Sequence, residues 1–157
     1  MYEYFVQIAQ WGPSRAINES SWIFALVQAF HLVSLGFLAG SLLMVDLRLL
    51  GRGFSQQPLA VVARDARPWL IGSLVAMVAT GVPQFISLAT KEYDSPYFRW
   101  KMLMLLIALI FTFTVRKRVA YAPEGRFGGG ISKAVALVSL GLWTSVAING
   151  RLIGFFS

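Results

Sequence analysis

The chain has no cysteine and a single histidine, His31. The missing cysteines exclude disulfides, thiolate catalysis, iron–sulfur clusters and thiolate zinc sites, and they leave the redox compartment unreadable from thiol usage. One histidine excludes a site built from two imidazoles of one chain. Charge is also scarce. Asp, Glu, Lys and Arg make up 13% of the 157 residues, where a soluble domain carries about 25%. What fills the chain instead is apolar, at 57%. This balance excludes an ordinary soluble enzyme, a disordered chain and a nucleic-acid-binding domain. The net charge of +7 does not restore the last, because the basic residues flank apolar runs instead of forming one patch.

Four apolar stretches are long enough to cross a bilayer, each needing about 20 residues. The expected spans are 22–45, 68–89, 96–115 and 131–156. Ser20 or Ser21 suits the N-cap of the first and Ser95 that of the third. Pro68 suits the first turn of the second, where its missing N–H costs nothing. Arg116-Lys117-Arg118 suits the end of the third, where cations meet the helix C-terminus. Residues 1–21 interleave Tyr2, Phe5, Ile8 and Trp11 with polar residues and read as a short interfacial helix or a loosely packed terminus. The first long apolar run starts only at Trp22, after Arg15, and Trp22–Val45 is long enough to stay in the bilayer, so no cleavable leader is expected. The fold class is therefore all-α and integral to the membrane, an up-and-down bundle of four transmembrane helices forming a single domain over 1–157.

Nine of the fourteen Lys and Arg residues fall in the loops after spans one and three: Arg48, Arg52, Arg64, Arg67, Arg116, Lys117, Arg118, Arg126 and Lys133. The positive-inside rule then places those loops in the cytoplasm and both termini outside, periplasmic in a bacterial inner membrane.

Small residues recur at steps of four. Gly36 and Gly40 do so in span one, Gly72, Ala76 and Thr80 in span two, and Gly141, Ser145 and Asn149 in span four. Such spacing lets helix backbones approach closely in lipid. It reads either as a packing seam inside the bundle or as a docking face for another membrane subunit.

Polar residues at membrane depth carry the functional expectations. At ~1.5 Å per residue, His31 lies ~13 Å, Met104 ~12 Å and Arg151 ~8–9 Å from the outer face. Gln84, beside Pro83, lies near the level of Arg151, Gln28 sits a turn above His31, and Arg99 and Lys101 sit above Met104. A cation at mid-bilayer costs ~2.5–3.5 kcal/mol on insertion scales, so Arg151 is either a snorkelling anchor or part of an outward pocket with Gln28, Gln84 and Asn149 that takes an anionic or quinone-like ligand. His31 reads in three ways. It bonds within the bundle to Gln84 or Ser34, it is an axial ligand to haem b or another tetrapyrrole with Met104 opposite and Arg99 or Arg151 on the propionates, or it relays protons. At the inner face Asp46, Arg48 and Arg67 form a polar group in which Asp46 pairs with Arg67 or Arg64. No metal-ligand spacing, catalytic triad or phosphate loop is present, since Gly128–Gly130 lacks the strand and lysine that such a loop needs.

The run His31-Leu-Val-Ser-Leu-Gly-Phe-Leu-Ala-Gly-Ser-Leu-Leu-Met-Val-Asp46-Leu-Arg-Leu-Leu-Gly51 resembles the first helix of a bacterial family of small, uncharacterised four-helix membrane proteins. Ser95-Pro-Tyr-Phe-Arg-Trp-Lys101 resembles that family's third-helix start, and Trp143 with Gly150-Arg151-Leu-Ile its C-terminal end. The chain is distantly similar in style to copper-resistance-D and cytochrome-b561-like proteins, but it lacks their histidine sets. The resemblance implies the fold and topology and marks His31, Asp46, Arg48 and Arg151 for test.

Three functions are compatible with these residues. The leading one is a non-catalytic membrane subunit of a larger energy-converting or redox complex, surrounded by lipid and by other membrane subunits or copies of itself. The others are a haem-b electron carrier through His31 and a small transporter or receptor using Arg151 and Gln84. An enzyme acting alone fits least.

Overall fold

A computed structural model describes residues 21–54, 56–92, 96–123 and 125–156. The expected interfacial helix lies outside these residues except for Ser21, and so does Ser95. Among the described residues all regular structure is helical: α1 (Ser21–Leu49), α2 (Leu59–Glu92), α3 (Pro96–Phe111), a π-helical turn (Thr112–Arg116), α4 (Lys117–Ala120) and α5 (Gly129–Phe156). α3, the π turn and α4 run on from one another, so the chain makes four rods. All four are long and apolar enough to cross a membrane, at Trp22–Leu49, Leu59–Phe85, Phe98–Ala120 and Gly129–Leu152.

The rods alternate in direction. Going along α1 from His31 to Phe37, the α2 partners go backwards from Thr80 to Trp69. The end of α1 also meets the end of the third rod and the early part of α5. α1 packs along α2, α3 packs along α5, and α1 and α5 meet between them. α2 and α3 touch through the stacked rings of Phe85 and Phe98, 4.9 Å apart.

The core has two parts. Val45, Leu49, Val62, Ala63, Ala66, Val119, Ala120, Val135 and Ala136 pack at the end that carries the basic loops. Leu38, Leu42 and Leu70 form a smaller cluster above them, with Trp143 against it. Most other apolar side chains face outward. Only 11–22% of the central window of each span is buried, and Trp22, Phe30, Val75, Leu106 and Leu137 all stand exposed. Such surface is a liability in water. In a bilayer, where helices satisfy their own backbone groups and lipid covers the side chains, it is the expected exterior.

Two span boundaries differ from expectation. α2 starts at Leu59, so Pro68 lies inside it and not in its first turn. Burial of Val62, Ala63 and Ala66 in the core stabilises the extra turns. The backbone bond that Pro68 removes belongs to the carbonyl of Arg64, an exposed residue near the loops. The third rod likewise does not stop at Arg116-Lys117-Arg118 but continues to Ala120, where Val119 and Ala120 pack into the core.

α1 stops at a Schellman cap. Arg52 N–H donates to the Leu47 carbonyl at 3.0 Å and Gly51 N–H to that of Arg48 at 3.0 Å. Gly51 takes the positive φ of 73° that this motif needs. Arg48 Nε then donates to the Gln57 carbonyl at 2.8 Å, tying the loop to the helix it leaves.

Candidate functional site

Asp46 is completely buried, and its side chain joins three rods. Arg116 Nε donates to Oδ1 at 2.7 Å, and Ser139 Oγ donates to Oδ2 at 2.8 Å. Arg116 Nη2 donates to the Leu42 carbonyl at 3.0 Å, one turn earlier on α1. The arginine is itself only 5% exposed. A charge in this setting is tolerated when it is paired and its remaining hydrogen-bonding groups are met. Asp46 has a donor on each oxygen and a counter-charge on one.

The π turn helps to place Arg116. Such a turn inserts an extra residue into the helical register and re-aims the side chains around it. Here Thr112 and Arg116 are both buried, while Phe113, Thr114 and Val115 between them are exposed. Thr112 Oγ1 accepts from Trp143 Nε1 at 3.1 Å. Thr112 and Arg116 therefore both tie the third rod inward, to α5 and to α1.

Beside this cluster a cleft of about 70 Å³ opens between α2 and the third rod. Arg67 stands on its α2 side, and Thr112, Arg116, Lys117 and Tyr121 stand on the other. Arg67 does not pair with Asp46, and neither does Arg64. The expected partner is replaced by Arg116, because α2 turns Arg64 and Arg67 outward while it buries Ala63 and Ala66.

A second polar contact lies toward the opposite end. His31 Nδ1 and Thr80 Oγ1 are 2.8 Å apart. Thr80 donates its own proton to the Ala76 carbonyl at 2.7 Å, so it accepts from Nδ1–H, and Nε2 is left as the acceptor of the neutral ring. Thr80 thus takes the place expected of Gln84 or Ser34. Ser34 donates to the Phe30 carbonyl instead, at 2.8 Å. Gly81 leaves room for the ring, since a Cβ there would stand 3.3 Å from His31 Cε1.

Lys101 of α3 reaches α5 at this end, its Nζ standing 3.6 Å from where a Cβ at Gly150 would lie. Asn149 Nδ2 donates to the Ser145 carbonyl at 2.8 Å within its own helix. Gln84 Nε2 is buried without a partner. Gln28 and Met104 are half-buried, and Arg99 and Arg151 are exposed. Among the described residues no group of three His, Cys, Asp or Glu could hold a metal ion.

The four glycines among the small-residue positions face outward. Gly36, Gly40, Gly72 and Gly141 are exposed, and a Cβ at any of them would meet nothing within 4 Å. Ala76 and Ser145 are half-buried. The four glycines therefore have no close neighbour where a Cβ would stand, whereas Thr80, of the same series as Gly72 and Ala76, meets His31 of α1. Gly36 and Gly40 lie in an outer groove of about 520 Å³, between Phe37 and Met44 of α1 and Asp65 and Trp69 of α2. Phe37 and Trp69 stack with ring centroids 5.5 Å apart.

Sequence reasoning missed Arg116 as a core residue. The signal was present: Ala108, Thr112, Arg116 and Ala120 recur at steps of four and are all buried, the same period that marks the other spans.

Four apolar rods held together by a buried ion pair define a multi-pass membrane protein. The chain belongs to the family of unknown function DUF6644, which matches residues 19–156. No curated protein and no solved structure matches it.

Replacing Asp46 by alanine leaves Arg116 buried and uncompensated. It is expected to cost ~3–5 kcal/mol of stability, whereas replacing Asp46 and Arg116 together by leucine and methionine recovers most of that loss. Thermal unfolding of the detergent-solubilised variants checks this. Equal losses in the single and double variants would show that the pair is not what holds the rods.

Proposed function

We propose that the protein is a non-catalytic membrane subunit that docks a transmembrane helix of another polypeptide in the groove between α1 and α2. The observation that carries this reading is the outward position of Gly36 and Gly40, each with open space where a side chain would stand. Glycines four residues apart let a second helix approach to backbone distance, and in lipid such close packing drives association. Phe37 and Trp69 supply rigid aromatic area beside them. Asp65, exposed and in no ion pair among the described residues, lines the same groove. It suits a partner helix that brings a cation or a hydrogen-bond donor to that level. In this reading the end with nine of the fourteen basic residues faces the cytoplasm of a bacterial inner membrane, and the termini face the periplasm.

One observation favours a second reading, a haem-b electron carrier. Donation of Nδ1–H to Thr80 fixes the His31 tautomer with Nε2 as the acceptor, and ligating histidines commonly donate their other ring N–H in this way. Bound there, a haem would supply one-electron redox chemistry.

Since a Cβ at position 40 meets only open space, Gly40→Leu is expected to leave the thermal stability of the isolated chain unchanged and to abolish its migration in a larger complex on native gels of host membranes. Gly141→Leu, equally open on α5, keeps the complex. Retention of the complex in Gly40→Leu would sink the docking reading, and a complex containing only this chain would make the partner a second copy.

The orientation can be read on the natural cysteine-free background. A cysteine placed at Gln56 is expected to resist a membrane-impermeant maleimide in intact spheroplasts and to label after lysis. Labelling before lysis would invert the topology.

For the haem reading, the decisive measurement is the absorption spectrum of the purified chain, oxidised and dithionite-reduced. The docking reading expects no Soret band that stays with this chain alone. A band lost in His31→Ala would make the protein the carrier.

A further inference from the structure

The cleft between α2 and the third rod is lined, on its polar side, by three cationic side chains and two hydroxyls. Arg67, Arg116, Lys117, Tyr121 and Thr112 line it, and no carboxylate does. Asp46 lies behind Arg116 and is already saturated, with Arg116 on one oxygen and Ser139 on the other. The guanidinium uses Nε on Asp46 and Nη2 on the Leu42 carbonyl. Its Nη1 makes no hydrogen bond among the described residues, although the residue is only 5% exposed. Nη1 is not among the buried polar atoms cut off from solvent, so it reaches the cleft. The Thr112 hydroxyl accepts from Trp143 and donates to nothing else described. Arg67 and Lys117 are exposed at the mouth and form no ion pair among the described residues.

A buried arginine with a spare donor, backed by a hydroxyl and flanked by two uncompensated cations, calls for an acceptor-rich anion. The space, about 70 Å³, holds a few water-sized groups, which suits a single tetrahedral anion and not an acyl chain or a ring system. The cleft sits at the end of the bundle where the loops and their basic residues lie, the level at which lipid headgroups stand. Exposed apolar surface on α2 and α3, such as Val75 and Leu106, runs away from it toward the bilayer centre.

We infer that this cleft is a binding site for one phosphate group, carried by a membrane phospholipid or by a free phosphate, with Arg116 as its buried donor and Arg67 and Lys117 closing over its oxygens. The site is independent of the helix groove, which lies along the other side of α2 and contains no base. It holds whichever side of the membrane the basic end faces.

The test uses the full chain in a neutral maltoside detergent, with thermal unfolding followed during separate titrations of phosphatidylglycerol and inorganic phosphate. The wild type is expected to show a saturable rise in its midpoint. Arg67→Gln with Lys117→Gln should raise the half-saturating concentration at least tenfold. Both residues are exposed, so folding is not at stake, and the unliganded midpoint verifies that. Arg64→Gln with Arg118→Gln removes the same charge from exposed residues outside the cleft and should shift it less than twofold. Saturation by the lipid alone, with this selectivity, identifies a headgroup site. Saturation by inorganic phosphate with the same selectivity identifies a free-anion site. A rise that never saturates, or an equal loss in both double variants, overturns the inference, because it would mean diffuse attraction to a basic surface.

Discussion

Asp46 cannot be left alone in the interior of this bundle. A buried carboxylate without partners costs more than a small membrane domain can spare, so the third rod must bring Arg116 to one oxygen and α5 must bring Ser139 to the other. Those two demands fix how the rods sit. α1 is the common neighbour, the basic end of the third rod lies against it, and α5 enters with Ser139 at the level of Asp46. In lipid, apolar faces do not sort themselves, since a leucine gains little by leaving acyl chains for another leucine. Directional polar contacts therefore carry a larger share of the specificity than they do in a soluble core. The contacts of His31 with Thr80 and of Trp143 with Thr112 extend the same logic to the α1–α2 and α3–α5 pairs.

The division between core and exterior follows from this. Where polar contacts hold the rods, the nearby interior consists of small and branched residues, Ala63, Ala66, Ala120, Ala136, Val45 and Val135, which let the backbones come close. The glycines are elsewhere. A glycine in a helix costs about 1 kcal/mol relative to alanine in propensity. At Gly36 and Gly40 that cost has no return inside the bundle, because no neighbour approaches either position. Both line the outer groove beside Trp69 and Phe37.

How much of this was legible in the sequence differs by feature. The four rods were legible because the bilayer imposes an unbroken apolar length on each, and no tertiary contact can substitute for it. The start of α2 was not. Arg64, Asp65 and Arg67 look like a loop when counted as charges, yet they occupy the outward face of a helix whose inward face is Val62, Ala63 and Ala66. Arg116 was misread for a related reason: within Arg116-Lys117-Arg118 the three cations look equivalent, and only the direction of each side chain separates the buried one from its exposed neighbours. Asp46 was recognised as a residue to test, but its partner was sought among bases near in the chain, when the one that meets it is 70 residues away. The direction of the glycine stripes was equally hidden, because spacing defines a face and says nothing of what that face meets.

The separation of those partners along the chain has a consequence for how the protein is made. Spans enter a membrane in the order of their synthesis, and Asp46 enters with the first. Its cation arrives 70 residues later and its hydroxyl donor 93 residues later. For that interval the carboxylate has to wait. Its place three residues from the end of α1, about 4.5 Å along the helix, lets it remain hydrated at the interface until the third rod arrives. Drawing it inward then takes two steps, the ion pair with the third rod and the Ser139 bond with α5, so a chain whose third span is missing or inverted keeps an unpaired acid where a finished one has a sealed core.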